Sequence, residues 1–172
     1  IRPANLPPET TGDGYIIADF FGIKIAVINL LGRVYMECVD CPFRTADSII
    51  EKIKGEADII IVDFHAEATS EKMAMGFYLD GKVSAVFGTH THIQTADEKI
   101  LKNGTAYITD IGMTGCHESI LGVKKDIILK KFLTTLPQRH EIEEGSATMN
   151  GVIIDIDESN GKALSIERIQ IS

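Results

Sequence analysis

Three of the five histidines in this 172-residue chain are bunched at the ends of two apolar runs. His65 follows Ile59-Ile-Ile-Val-Asp-Phe64, and His90 and His92 stand in Gly88-Thr-His-Thr-His92. An extended backbone sends alternate side chains to one face, so the second pair is expected to present both imidazoles together. Neutral imidazoles are common ligands of transition-metal ions, and three at one rim can grip one or two cations. Phosphate esters and carbonyls are the substrates such cations serve, because a bound ion activates water near neutral pH and offsets the charge that develops in transfer. The competing reading is three polar loop histidines, each bonded to main chain. Asp63, Glu67 and Asp97 are the carboxylates nearby, and Asp63 or Glu67 can hold His65 through its second ring nitrogen. Their ordinary roles would be to close a strand and to start a helix. Asp110 and Thr114 lie in Thr109-Asp-Ile-Gly-Met-Thr-Gly115, a loop that can reach the same rim and whose glycines allow close backbone approach or simply serve turns.

The elements that must position these residues follow from pattern. The run 59–64 reads as a strand buried on both faces, 70–79 as a helix and 83–88 as the next strand. Strand, helix, strand over Asp58 to Gly88 predicts a parallel pair joined by a crossover, with both strands ending at the edge where α/β sheets bind ligands. Upstream, Tyr15 to Asp19 and Ile23 to Leu30 read as a hairpin, 31–44 as loop, and Thr45 or Asp47 as the cap of a helix running through Lys54. Asn-Gly pairs at 103–104, 150–151 and 160–161 mark turns of the type I′ kind. The first and last join hairpins, Lys99 to Lys102 with Thr105 to Thr109 and Val152 to Asp157 with Ala163 to Ile171. Between them Asp126 is read as the cap of an amphipathic helix that Pro137 stops.

Composition narrows the function classes. Seventeen basic against 25 acidic residues give a net charge of −8, so no dedicated nucleic-acid binder is expected. No apolar run reaches the roughly 18 residues needed to cross a bilayer, and no charged segment followed by an apolar run opens the chain, so a cytoplasmic protein with no membrane partner is expected. Cys38, Cys41 and Cys116 are too few and too odd in number for a secreted disulfide framework. A zinc site from these cysteines with His117 lacks the second Cys-x-x-Cys, and reduced loop thiols are the expectation. Gly76 to Lys82 copies P-loop spacing without its hydroxyl and before a strand instead of after one. The run Asp155 to Gly161 echoes a calcium loop without the closing Glu.

Arg2-Pro-Ala-Asn5, Ala26-Val-Ile-Asn-Leu-Leu-Gly-Arg33, Asp63-Phe-His-Ala-Glu-Ala-Thr-Ser-Glu-Lys72, Gly88-Thr-His-Thr-His-Ile-Gln-Thr-Ala-Asp97 and Thr109 to Gly115 together resemble the YmdB-like branch of the calcineurin-type metallophosphoesterases. The resemblance covers nearly the whole chain. It implies an α/β fold, the metallophosphoesterase-type α/β/β/α sandwich. The implied activity is hydrolysis of phosphodiesters, with 2′,3′-cyclic nucleotides as substrate class. Two divalent or trivalent metal ions are implied as cofactors, Fe or Mn first and Zn as an alternative. Carried onto this sequence, it makes His65 and His90 ligands of one metal and His92 a ligand of the other.

Members of that family begin with strands supplying an Asp, a Glu-Asn pair and an Asn-His pair, and none of these is found in this sequence. Residues 1–172 are therefore expected to form a single domain that is the C-terminal portion of such an enzyme, lacking the first strands of one sheet. The bridging carboxylate, most ligands of the second metal and the general-acid His would lie in the absent segment. Exposed apolar surface and a free edge are then expected around Ile59 to Phe64 and the adjoining helices. Impaired turnover is expected, with a small phosphoester substrate and either a homo-oligomer or association with the missing segment. The alternative class is a non-catalytic binding or assembly module on the same fold.

Overall fold

Residues Ile1–Ser172 are all described by the computed structural model. Nine strands and three helices follow one another as β1 (Tyr15–Phe20), β2 (Ile23–Leu31), α1 (Pro42–Lys52), β3 (Ile59–His65), α2 (Thr69–Leu79), β4 (Ala85–Thr89), β5 (Lys99–Ile100), β6 (Ala106–Ile108), β7 (Thr114–Cys116), α3 (Lys125–Thr134), β8 (Ala147–Asp157) and β9 (Lys162–Ile171). A six-stranded sheet runs β1-β2-β3-β4-β6-β5, and a three-stranded sheet runs β7-β8-β9. β2, β3, β4 and β6 are parallel, while β1 and β5 close the two edges antiparallel.

Period-two alternation along the parallel strands decides where the core sits. Ala26, Ile28 and Leu30 of β2, Val62 and Phe64 of β3, Val86 of β4 and Tyr107 of β6 share one face and meet Ala46, Ile49 and Ile53 of α1 with Met75 and Leu79 of α2. Each of the larger aliphatic or aromatic side chains taken wholly out of water contributes about 1.5 to 3 kcal/mol, an alanine methyl less. On the opposite face Ala85 and Ala106 touch Ala163 of β9, with Ile154 and Ile166 packed alongside. Small side chains there let the second sheet lie close. Helix, sheet and sheet thus stack in the order the sandwich requires.

Several local expectations are corrected. α1 begins at Pro42, with Cys41 as an N-cap that makes no side-chain bond. Thr45 and Asp47 lie inside the helix and so do not cap it; the Asp47 carboxylate is engaged by Lys82 Nζ at 3.0 Å and by the Tyr78 hydroxyl. In α3 the N-cap is Lys124, and Asp126 lies within the first turn. That helix stops at Thr135, whose φ is 57°, before Pro137 is reached. The turns at 103–104 and 160–161 are not type I′, since only Gly104 (φ 101°) and Gly161 (φ 69°) adopt positive φ. Asn150-Gly151 lies inside β8.

The expected apolar exposure is met in part. β3 is paired on both edges, and Val62 and Phe64 are fully buried against α1 and α2. The adjoining helix α2 does expose Phe77 and Tyr78, as expected, and α3 exposes Phe132 (74%) and Leu133 (84%). No helix is long and apolar enough to cross a membrane.

Candidate metal centre

Register brings the chemistry to one edge. β3 and β4 pair so that His65 lies opposite Thr89. Asp63 and His65, two residues apart, project on the same side of β3 while Phe64 enters the core. Thr89 Oγ1 donates to Asp63 Oδ1 at 3.0 Å and lies 3.1 Å from His65 Nδ1. The hydroxyl has one proton and gives it to Asp63, so His65 Nδ1 must be the donor in the second bond. His65 is thereby fixed as the Nδ1–H tautomer, with a lone pair on Nε2. Asn29 Nδ2 donates to the other Asp63 oxygen at 2.7 Å.

His90 reaches the same point from the loop after β4. Its Nε2 lies 3.0 Å from Glu67 Oε2, and its Nδ1 lies 3.0 Å from His65 Nε2. A carboxylate only accepts, so the proton of neutral His90 is on Nε2 and its Nδ1 carries a lone pair. Two lone pairs then face each other across 3.0 Å, with the rings at 89°. Only positive charge between or beside them relieves that contact: a proton or a metal cation. Burial, with the adjacent His90 ring adding to it, lowers the pKa of His65. Burial raises the pKa of Asp63, against the pull of the Thr89 and Asn29 hydrogen bonds.

The donor set fits a transition-metal ion. Metal–nitrogen bonds are about 2.0 to 2.1 Å, so one cation can span two nitrogens at this separation, and the second nitrogen of each ring is held by an oxygen partner, Glu67 for His90 and the Asp63-bonded Thr89 hydroxyl for His65. His92 is placed differently. Its φ is 64°, and its Nδ1 lies 3.0 Å from the carbonyl of Leu121. It lines a cavity of about 280 Å³ with Gln94, His117, Asn150 and Arg168. No group of three or more His, Cys, Asp or Glu side chains is arranged to hold a metal ion, and Cys38, Cys41 and Cys116 are free thiols. A larger cavity of about 540 Å³, between Tyr15 and α1, contains none of these histidines.

Of the other candidate residues, Asp97 binds Thr95 Oγ1 and Thr109 rather than the imidazoles, and Thr114 stands exposed on β7. Asp110 is fully buried and lies next to the histidine loop, accepting from Thr91 N–H at 3.0 Å. Its partner, Lys72 Nζ at 2.8 Å, is 1% exposed and is not among the residues that sequence reasoning singles out. The trace it leaves in sequence is its spacing: Lys72, Met75, Gly76 and Leu79 form the buried stripe of α2, so a lysine occupies a core position. Thr89 escapes sequence reasoning too, although two parallel strands ending together place it beside His65.

The family described as YmdB-like protein matches residues 1–169. The chain belongs to that family. It is 52% identical over its full length to a 2′,3′-cyclic-nucleotide 2′-phosphodiesterase of Bacillus subtilis (strain 168), of which it covers 65%. The crystal structure of a hypothetical protein from Thermus thermophilus superposes with a TM-score of 0.94 at 40% identity, over 99% of this chain and 66% of that one. A crystal structure described as a novel phosphatase from Mycoplasma pneumoniae gives 0.91 at 36% identity, over 99% and 63%. The chain thus spans slightly under two thirds of the length of each of these relatives. Its fold is that of the YmdB-like metallophosphoesterases expected from the resemblance.

Proposed function

We propose that this chain carries part of a cation-dependent phosphodiesterase site that acts on 2′,3′-cyclic nucleotides. The observation that supports it best is the facing pair of nitrogens, His65 Nε2 and His90 Nδ1, each fixed from behind by an oxygen partner that leaves its lone pair free. The B. subtilis relative, by its name a 2′,3′-cyclic-nucleotide 2′-phosphodiesterase, supports the substrate class. Fe or Mn is the ion that the family resemblance implies, and the imidazole donors suit Fe and Zn. When bound, the ion offsets the negative charge that builds on the phosphoryl oxygens. The chain's own residues do the rest: His65 and His90 hold, Asp63 through Thr89 and Glu67 directly keep both rings in the ligating tautomer, and His92 stands at the next cavity as a donor for a second ion. Two imidazoles leave coordination positions open to water, substrate oxygens and donors outside these 172 residues.

The experiment is a Mn²⁺ titration of the chain by calorimetry, followed by a 2′,3′-cyclic AMP hydrolysis assay with and without EDTA. One ion taken up per chain, uptake abolished by His65→Ala or His90→Ala, and EDTA-sensitive turnover in the presence of donors from the remainder of a relative's length are expected. Absence of Mn²⁺, Fe²⁺ and Zn²⁺ uptake would refute the proposal.

A further inference from the structure

The Lys72–Asp110 pair is the most deeply buried charge pair in the molecule, and the chemistry above leaves it without a role. Both partners are inside, 1% and 0% exposed, where an apolar pair of equal volume would stabilise the fold as well or better. What an ion pair adds is direction. Asp110 Oδ2 receives Lys72 Nζ at 2.8 Å and Thr91 N–H at 3.0 Å, and Oδ1 receives Gly112 N–H at 2.9 Å. The main chain of Asp110 is locked in turn by Thr95, whose Oγ1 accepts from Asp110 N–H at 2.9 Å and whose N–H donates to the Asp110 carbonyl at 3.0 Å.

The segment thus pinned is the one that aims the imidazoles. His90 at φ 111° and His92 at φ 64° are both non-glycine residues with positive φ, a conformation that persists only when its surroundings impose it. Of the main-chain N–H groups of residues 90–93, only that of Thr91 is hydrogen-bonded, and its acceptor is Asp110. The strand end below it cannot yield either: Gly88 passes so close to the Thr109 carbonyl that a Cβ would lie 1.8 Å from the oxygen.

We infer that Lys72 and Asp110 are positioning residues, a buried clamp between α2 and the histidine loop that sets the direction of His90 toward His65. This rests on the metal reading for its consequence but not for its geometry. Two double variants of the whole chain test it. Lys72→Met with Asp110→Leu fills the space and removes the acceptor; Lys72→Met with Asp110→Asn keeps one acceptor oxygen but frees its orientation. The readouts are melting temperature, Mn²⁺ affinity, and the imidazole ¹⁵N shifts of His65 and His90 in metal-free protein, which report the tautomers.

With the leucine variant, Mn²⁺ affinity is expected to fall at least tenfold and the ¹⁵N shifts to move to tautomer-averaged values, with a lower melting temperature because Thr91 N–H and Gly112 N–H lose their acceptor. About threefold weakening is expected for the asparagine variant. Unchanged affinity and unchanged shifts in the leucine variant would overturn the clamp. Should that variant not fold, the asparagine variant decides: weakening or averaged shifts support the clamp, and wild-type behaviour refutes it. Failure of the unaltered chain to bind Mn²⁺ would refute the metal reading instead, and the ¹⁵N shifts would still decide the clamp.

Discussion

Thr89→Val tests the tautomer argument at its single joint. The substitution keeps the β-branched shape of a strand residue and removes one oxygen, the one that donates to Asp63 at 3.0 Å and accepts from His65 Nδ1 at 3.1 Å. Two partners are left behind. Asp63 keeps Asn29 on its other oxygen, so its loss is one charge-assisted bond of about 1.5 to 3 kcal/mol, and the half-buried imidazole N–H loses a bond of about 0.5 to 1.5 kcal/mol. Water reaches His65 in part, so the folded state is expected to lose about 2 kcal/mol rather than the sum, read as a lower urea midpoint at constant slope. Ion affinity is expected to fall more. Removing the group behind a ligating histidine costs about 10- to 100-fold, because the free ring populates the tautomer that points a proton at the ion. Calorimetry against Mn²⁺ reads this, and Thr89→Ser, which keeps the hydroxyl, should restore affinity to within about threefold of the unaltered chain. A valine variant that binds Mn²⁺ as tightly as the parent would show that Thr89 does not fix the ring, and the lone-pair argument would fail with it.

Gly88→Ala drives a methyl group onto the Thr109 carbonyl at 1.8 Å, backbone against backbone, and should destabilise the fold by about 3 kcal/mol or more in urea. A loss below about 1 kcal/mol would mean the two strand ends are not as close as described. Asp97 sets an acid limit. Burial raises its carboxyl, but hydrogen bonds from Thr109 and Thr95 outweigh that and hold it below its ordinary value of 3.8. A depressed carboxylate stabilises the fold above the unfolded value and loses that contribution as pH falls through the folded one. Asp97→Asn should therefore flatten the acid limb of stability below pH about 4, and an unaltered limb would refute the assignment.

What sequence can and cannot disclose divides at Thr89. Up to that residue the argument is periodic: apolar runs of β3 and β4, a helix between them, parallel pairing and a shared edge all follow from residue type and length, and the structure has them. The start of α1 is hidden because a Cys N-cap followed by Pro42 has no side-chain bond to advertise it, whereas Thr45 and Asp47 look like caps and one of them serves Lys82 instead. Glu71 is unremarkable in a polar helix start, yet it is 8% exposed and accepts from Arg33 N–H at 3.0 Å, tying α2 to the turn after β2.

Beyond Thr89 the period-two argument stops applying, because the strand ends there and the next alternate residues take positive φ. Extended geometry would have put His90 and His92 on one face; the observed backbone instead directs one ring to His65 and the other to Leu121. Nothing in a Gly-Thr-His-Thr-His string announces such φ values, since the restraint on Thr91 is supplied from 19 residues away by Asp110, and Asp110 is in turn held from α2 by Lys72. Residue types therefore announce candidate ligands, while the direction of the rings is set by a buried pair whose members, read singly, look like an ordinary loop aspartate and an ordinary helix lysine.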